Sequence, residues 1–420
     1  MERGFDSPRE FNSSFGWDNF SAMAPYIDMV LTGPGALNTH VRAGGIRTAL
    51  YVDANFCSAR SGPGANEYAS PDCADWPASA FYTQDGHPGR ALTVSYNGRI
   101  LQRVGDPGSY EWRARSLGSF RELTAHDRFD LIEVDDATTL DELYLGGCWG
   151  AGTPIERSYD CLSAPGGAAG APWNAHYSRR EWQNGIVALA AGSSRLLLFN
   201  GLAGYDHHEA LPAIAEVVVT APNAWGAICD MCFYGDGNHW NPYLVTSPIL
   251  DVRLNGIMRI VAAGKNAVLV NANQPDPSAR ARALADIALA YQPDRVWQWA
   301  NPCGTRSYIH ACPEAALTFY APYKPYPAST VALSDASGNY VREFAECYDD
   351  GRALGPCAAV VNPSRTASLP RPAFRNAYRH TLVIEGTSLC RCYGDSGSLS
   401  EMGPALPAAI PPASGYLVFR

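Results

Sequence analysis

The sequence is short of charge, and it contains neither a basic cluster nor a long apolar run. Asp, Glu, Lys and Arg make up 17% of its 420 residues, and the formal net charge is -9. That balance argues against nucleic acid or an anionic membrane surface as a partner, because both are polyanions. No stretch of 18 or more apolar residues occurs, so no segment is expected to span a membrane. The opening Met1-Glu2-Arg3-Gly4 is not followed by the apolar core of a signal peptide. Phe15-Gly16-Trp17-Asp18-Asn19, after the first expected strand, is not a Gly-rich phosphate loop, which speaks against an open nucleotide-binding sheet. Cys229 and Cys232 have CxxC spacing but no second pair to complete a zinc site, and they end a strand where a redox motif would open a helix. Gly394-Asp395-Ser396-Gly397 has the look of a serine-protease signature without its His and Asp context, and is read as a turn. Adjacent His207 and His208 cannot both face one metal from a regular helix, so His207-His208-Glu209 is read as a helix-start cluster. No cofactor and no metal are called for.

What is present is globular. Hydrophobic residues make up 46% of the chain, with 10 Trp and 22 Tyr that serve as core or as platforms for sugar rings. Of the 12 Cys, several form close sequential pairs across loops: Cys57 and Cys73, Cys148 and Cys161, Cys303 and Cys312, Cys347 and Cys357. Such pairs fit disulfides and an oxidising compartment, so the expectation is a secreted protein whose signal peptide has been removed. Oligomeric state is not legible.

Strand and helix patterns alternate about eight times. The expected strands are 11–17, 26–31, 46–53, 129–135, 195–200, 225–232, 267–271 and 296–299, with helices at 110–126, 177–192, 209–220, 247–263, 277–291 and 305–319. Their apolar runs are continuous and not alternating, as in a parallel sheet covered by helices. Eight units favour a closed (β/α)8 TIM barrel, class α/β, over residues 1–328. From about Ser329 helical periodicity vanishes, and 329–420 reads as a small all-β sandwich domain. Leu92 to Ile100 reads as a β-hairpin with an Asn-Gly turn inside a long excursion after the third strand.

In such a barrel, chemistry sits at the carboxyl ends of the strands. The polar residues there are Asp53, Asp135, Asp136, Asn200, Asp230, Asn271 and Gln298, with Trp297 and Trp299 flanking Gln298 on one face. Glycoside hydrolysis needs two carboxyl groups flanking the scissile bond. Asp135 on the fourth strand and Asp230 on the sixth could meet across the mouth. Asp136 is second choice for the first role, with N-capping of a following helix as its alternative. Asp230 has an ion pair with an Arg in the barrel as its alternative. Asp53, Asn200, Asn271, Trp297, Gln298 and Trp299 are the candidate substrate-binding residues.

Several segments resemble the glycoside-hydrolase-like families of the α-galactosidase superfamily. They are Tyr26 to Leu31, Gly44 to Asp53, Asp106 to Arg113, Phe129 to Asp136, Asn362-Pro363 and Ile410 to Tyr416. In that superfamily the nucleophile ends strand four and the acid/base ends strand six. The resemblance therefore implies Asp135 as nucleophile, Asp230 as acid/base, and a polysaccharide or glycan substrate. The competing expectation is a non-catalytic carbohydrate-binding or structural protein on the same scaffold.

Overall fold

The computed structural model describes residues 29–32, 36–53, 56–58, 73–84, 87–91, 93–96, 100–125, 127–139, 159–161, 179–202, 211–229, 232, 249–271, 277–292, 295–300, 324–325, 335–349, 352–383 and 401–420. Seven parallel strands alternate with helices: β1 (Met29–Thr32), α1 (Ala36–Ala43), β2 (Arg47–Asp53), α2 (Tyr110–Leu123), β3 (Leu131–Asp135), α3 (Arg179–Gly192), β4 (Leu196–Asn200), α4 (Ala213–Thr220), β5 (Ala224–Cys229), α5 (Ile249–Ala262), β6 (Asn266–Asn271), α6 (Pro277–Ala290) and β7 (Val296–Ala300). The strands lie side by side in chain order in one sheet. These are the second to eighth of the expected strands; the expected first, at 11–17, and the helix expected at 305–319 lie outside the described residues.

Both faces of this sheet are buried, which explains why its strands read as unbroken apolar runs. One face sends Leu50, Val52, Ile132, Val134, Leu197, Phe199, Ala227 and Leu269 against Trp112, Trp182, Ile186, Val217, Leu254 and Ile257 of the helices. On the other face, Met29, Leu31, Ala49, Leu131, Leu198, Ile228 and Val268 form one cluster, joined by Tyr51, Trp225 and Trp297. Every strand contributes to that second cluster. Sequential parallel strands with helices on one side and a shared apolar filling on the other fit the arrangement of a TIM-like barrel.

Local chemistry sets the helix starts. Ser109 accepts a bond from the Trp112 N–H as N-cap of α2, and Asp106 accepts one from the Gly108 N–H at 2.9 Å. Burial pushes the Asp106 carboxyl up, aided by nearby Glu181 and opposed by the Gly108 N–H and Arg113. The Pro107 carbonyl lies where a Cβ on Gly185 would fall, 2.0 Å away, so only glycine lets α3 approach this turn.

The excursion between β2 and α2 contains the expected hairpin, Thr93–Tyr96 paired antiparallel with Ile100–Val104. Phe56–Ser58 adds to one edge, and Tyr159–Cys161, from the segment after β3, adds to the other. The long segments that follow β2 and β3 therefore share one four-stranded sheet. The Cys57–Cys73 disulfide staples it, and Arg103 donates to the Cys73 carbonyl at 2.9 Å.

The C-terminal region forms a six-stranded sheet: β8 (Lys324–Pro325), β9 (Tyr340–Asp349), β10 (Arg352–Val361), β11 (His380–Val383), β12 (Glu401–Met402) and β13 (Gly415–Phe419), in the order β8-β9-β10-β13-β11-β12. The Cys347–Cys357 disulfide joins β9 to β10. One face packs on α6, through Phe344, Ala359, Val361, Leu417 and Phe419 against Ala285, Ala288 and Leu289. The other face is covered by Leu406, Ile410, Phe374 and Tyr378 and by a two-stranded ribbon, Leu369–Pro370 with Ala409–Ile410. Among the described residues one face of the sheet is covered by helix α6 and the other by this two-stranded ribbon.

Candidate active site

Parallel register brings three strand ends together. Asp53 on β2 stands opposite Asp135 on β3, and Tyr51 opposite Glu133. Phe199 on β4 pairs with Val134, which sets Asn200 beside Asp135. Strand alternation then places Tyr51, Asp53, Glu133, Asp135 and Asn200 on the inner face, because the intervening Val52, Val134 and Phe199 point to the helices.

The Asp135 carboxylate is the centre of the group. Asn200 Nδ2 donates to its Oδ1 at 2.6 Å, and the Tyr51 hydroxyl donates to its Oδ2. Asp53 Oδ1 accepts from the Phe56 N–H at 3.0 Å, which turns the chain into the excursion. Asp53 and Asp135 are each 5% exposed and Asn200 7%. These groups are nearly enclosed. Glu133, one dyad below Asp135, is fully buried.

The carboxyl ends of neighbouring strands are stitched together beneath this group. The Ala137 N–H donates to the Asn200 carbonyl at 2.7 Å, and Gly201 and Leu202 donate to the Ile228 carbonyl. A Cβ on Gly201 would lie 2.1 Å from the Ala137 carbonyl oxygen, so the segments after β3 and β4 touch backbone to backbone. Asp136 takes a left-handed conformation at φ 51°, and its carbonyl accepts from Thr138 at 2.7 Å. An N-cap is typically extended, and the residues after Thr139 lie outside the described residues.

The other expected residues divide. Cys229 ends β5 and is bridged to Cys232, whose carbonyl accepts from Arg253 of α5. Asp230 lies between the two cysteines in sequence and outside the described residues. The backbone of Asn271 pairs with Ala300 at the end of β6, and Gln298 and Trp299 pair with Leu269 and Val270; their side chains lie outside the described residues. Trp297 belongs to the inner apolar cluster. Its ring lies 5.7 Å from that of Trp225, and its Nε1 donates to Asn266 Oδ1, at the start of β6. Trp297 is partly buried, and the partners of its ring, Trp225 and Asn266, lie at the amino end of their strands. Tyr51 was not among the expected site residues. Its signal was there in the two-residue period that puts it on the face of Asp53.

Among the described residues no group of three or more His, Cys, Asp or Glu is gathered as metal ligands. His207, His208 and Glu209 lie outside them. Among the described residues no helix is long and apolar enough to cross a membrane.

No family model and no curated protein matches the sequence. Among solved structures, the chain resembles the glycoside hydrolase domain of PelA from Pseudomonas aeruginosa at 16% identity and TM-score 0.39, covering 67% of this chain and 87% of that one. It resembles a single-site mutant of the trehalulose synthase MutB at 11% and 0.42, covering 100% and 97%. It also resembles the galactosidase domain of the α-galactosidase-sucrose kinase AgaSK at 11% and 0.40, covering 96% and 52%. These are distant likenesses of chain path.

Proposed function

We propose that the protein is a glycoside hydrolase whose barrel, within residues 1–328, cleaves a polysaccharide or glycoconjugate. The observation that carries this reading is the Asp135 carboxylate: at the carboxyl end of a parallel strand, nearly enclosed, beside Asp53, with one neutral donor on each oxygen. A carboxylate held in this way suits attack on an anomeric carbon better than delivery of a proton.

The mechanism has two steps. In the first, an Asp135 oxygen bonds to the anomeric carbon, the glycosidic C–O bond breaks, and the leaving oxygen takes the proton of Asp230. In the second, water attacks the same carbon and gives a proton to Asp230, and the bond to Asp135 breaks. Asp230 follows Cys229 directly, at the carboxyl end of a strand two places from β3. The Cys229–Cys232 bridge confines it within a four-residue covalent ring. Asp53 and Asn200 line the same face and would meet sugar hydroxyls. The Cys57–Cys73, Cys229–Cys232 and Cys347–Cys357 disulfides support an oxidising, extracellular setting.

A polysaccharide-digestion screen of the parent against Asp135→Asn and Asp230→Asn tests the reading. Release of reducing sugar by the parent, falling about 1000-fold or more in both variants, is the expected outcome. Hydrolysis undiminished in the variants would sink the assignment. Glycan binding by a parent that cleaves nothing would favour a carbohydrate-binding protein on this scaffold.

A further inference from the structure

We infer that Tyr51 is a positioning residue that governs the second step of the reaction, release of the sugar from Asp135. The inference rests on the hydrolase reading. Tyr51 reaches from β2 to β3, and its hydroxyl donates to Asp135 Oδ2 while Asn200 holds Oδ1. Its ring is anchored in the inner cluster with Ala49 and Leu131. The anchor is apolar and the tip is polar, so the hydroxyl is aimed by packing and stays in place throughout the cycle.

The donor's effect differs between the two steps. When Asp135 attacks, negative charge leaves its oxygens as the ester bond to the anomeric carbon forms, and a hydrogen bond to those oxygens weakens. When the ester breaks, the electron pair of the C–O bond returns to Asp135, the charge reappears, and the Tyr51 hydrogen bond strengthens. Water supplies the new bond to carbon and its proton goes to Asp230, so the balance of atoms closes without a further reactant. A donor to the departing carboxylate stabilises that transition state more than the preceding ester. Its removal slows the second step more than the first, and the covalent intermediate accumulates.

The test uses the full-length chain and the 4-nitrophenyl glycoside of the sugar that the digestion screen releases. Tyr51→Phe keeps the ring and removes the hydroxyl. The expected result is a kcat lower by about 10- to 100-fold with KM lowered in parallel, and a burst of nitrophenol approaching one equivalent. KM does not depend on the fraction of folded molecules, so partial misfolding cannot mimic this pattern. Parental kcat, or a lower kcat with KM unchanged or raised and no burst, overturns the role of Tyr51 alone. A parent that cleaves no glycan overturns the hydrolase reading and this inference together.

Discussion

At the scale of single residues, backbone conformation separates the two adjacent acids more sharply than chemistry does. Asp135 is part of the strand and has its oxygens held. Asp136 has left the strand, at φ 51°. Left-handed backbone costs an ordinary L-residue about 1 kcal/mol, and Asp and Asn tolerate it best. Asp136→Asn is therefore expected to be near neutral in stability, and Asp136→Ala to lose about 1 kcal/mol, read from denaturant midpoints. Hydrolysis persisting in Asp136→Asn would remove Asp136 from contention as nucleophile; its loss would restore it. Gly201 makes a second point at this scale. With a Cβ 2.1 Å from the Ala137 carbonyl oxygen, Gly201→Ala must push two strand ends apart. A loss of about 1 to 3 kcal/mol is expected, with a fall in activity because Asn200 precedes it directly. A variant as active and stable as the parent would mean that these ends are less tightly joined than the structure has them.

At the scale of elements, the segments after β2 and β3 behave as one unit. The pairing of Val94 with Cys161 and of Tyr96 with Tyr159 joins them in a single antiparallel sheet. The Cys57–Cys73 bridge spans 16 residues of this unit. Loop-closure entropy puts such a bridge at about 3 kcal/mol. Cys57→Ser with Cys73→Ser should lower stability by about that amount and speed proteolytic nicking in the excursion. Unchanged melting and nicking in the double variant would show that the sheet holds without its staple. The Cys229–Cys232 ring, at a sequence separation of 3, is too short to add as much by the same argument.

At the scale of the whole molecule, the C-terminal sheet is fastened to helix α6 through buried charge. Arg282 and Asp286 form an ion pair within α6 at 2.8 Å, and Arg282 also donates to the Asn362 carbonyl at 3.0 Å. Arg342 of β9 donates to the Ala288, Leu289 and Tyr291 carbonyls at the end of α6, and burial pulls its guanidinium down to about 10. Burial pushes the Asp286 carboxyl up from 3.8 to about 6, against the pull of Arg282. Between those values the folded protein holds a proton that the unfolded chain releases. This group's contribution to stability is therefore greatest at or below pH 4 and is lost as pH rises to about 6. The loss is on the order of 3 kcal/mol. Asp286→Asn should lack that slope, seen as a shrinking stability advantage of the parent over the variant between pH 4 and 7 in urea melts. Parallel pH profiles for the two proteins would contradict it. Removing residues 329–420 would bare Ala285, Ala288 and Leu289 of α6, and the truncated barrel is expected to aggregate. A soluble, cooperatively melting 1–328 fragment would show the opposite.

The alternation of apolar runs with helical periods was sufficient to expect a parallel sheet wrapped in helices, because strands buried on both faces must be apolar throughout. The positions of Asp53, Asp135 and Asn200 were legible because a strand ending in a polar residue marks the rim of such a sheet. Parallel register, which no single strand encodes, decided which rim residues touch. It set Asp53 against Asp135, carried Asn200 to one carboxylate oxygen and let Tyr51 reach the other. For Trp297 the sequence left mouth and core both open, and the structure packs its partly buried ring against Trp225 with a bond to Asn266. In the C-terminal region strand patterns announce apolar faces, and only packing decides that α6 covers one of them and a two-stranded ribbon the other.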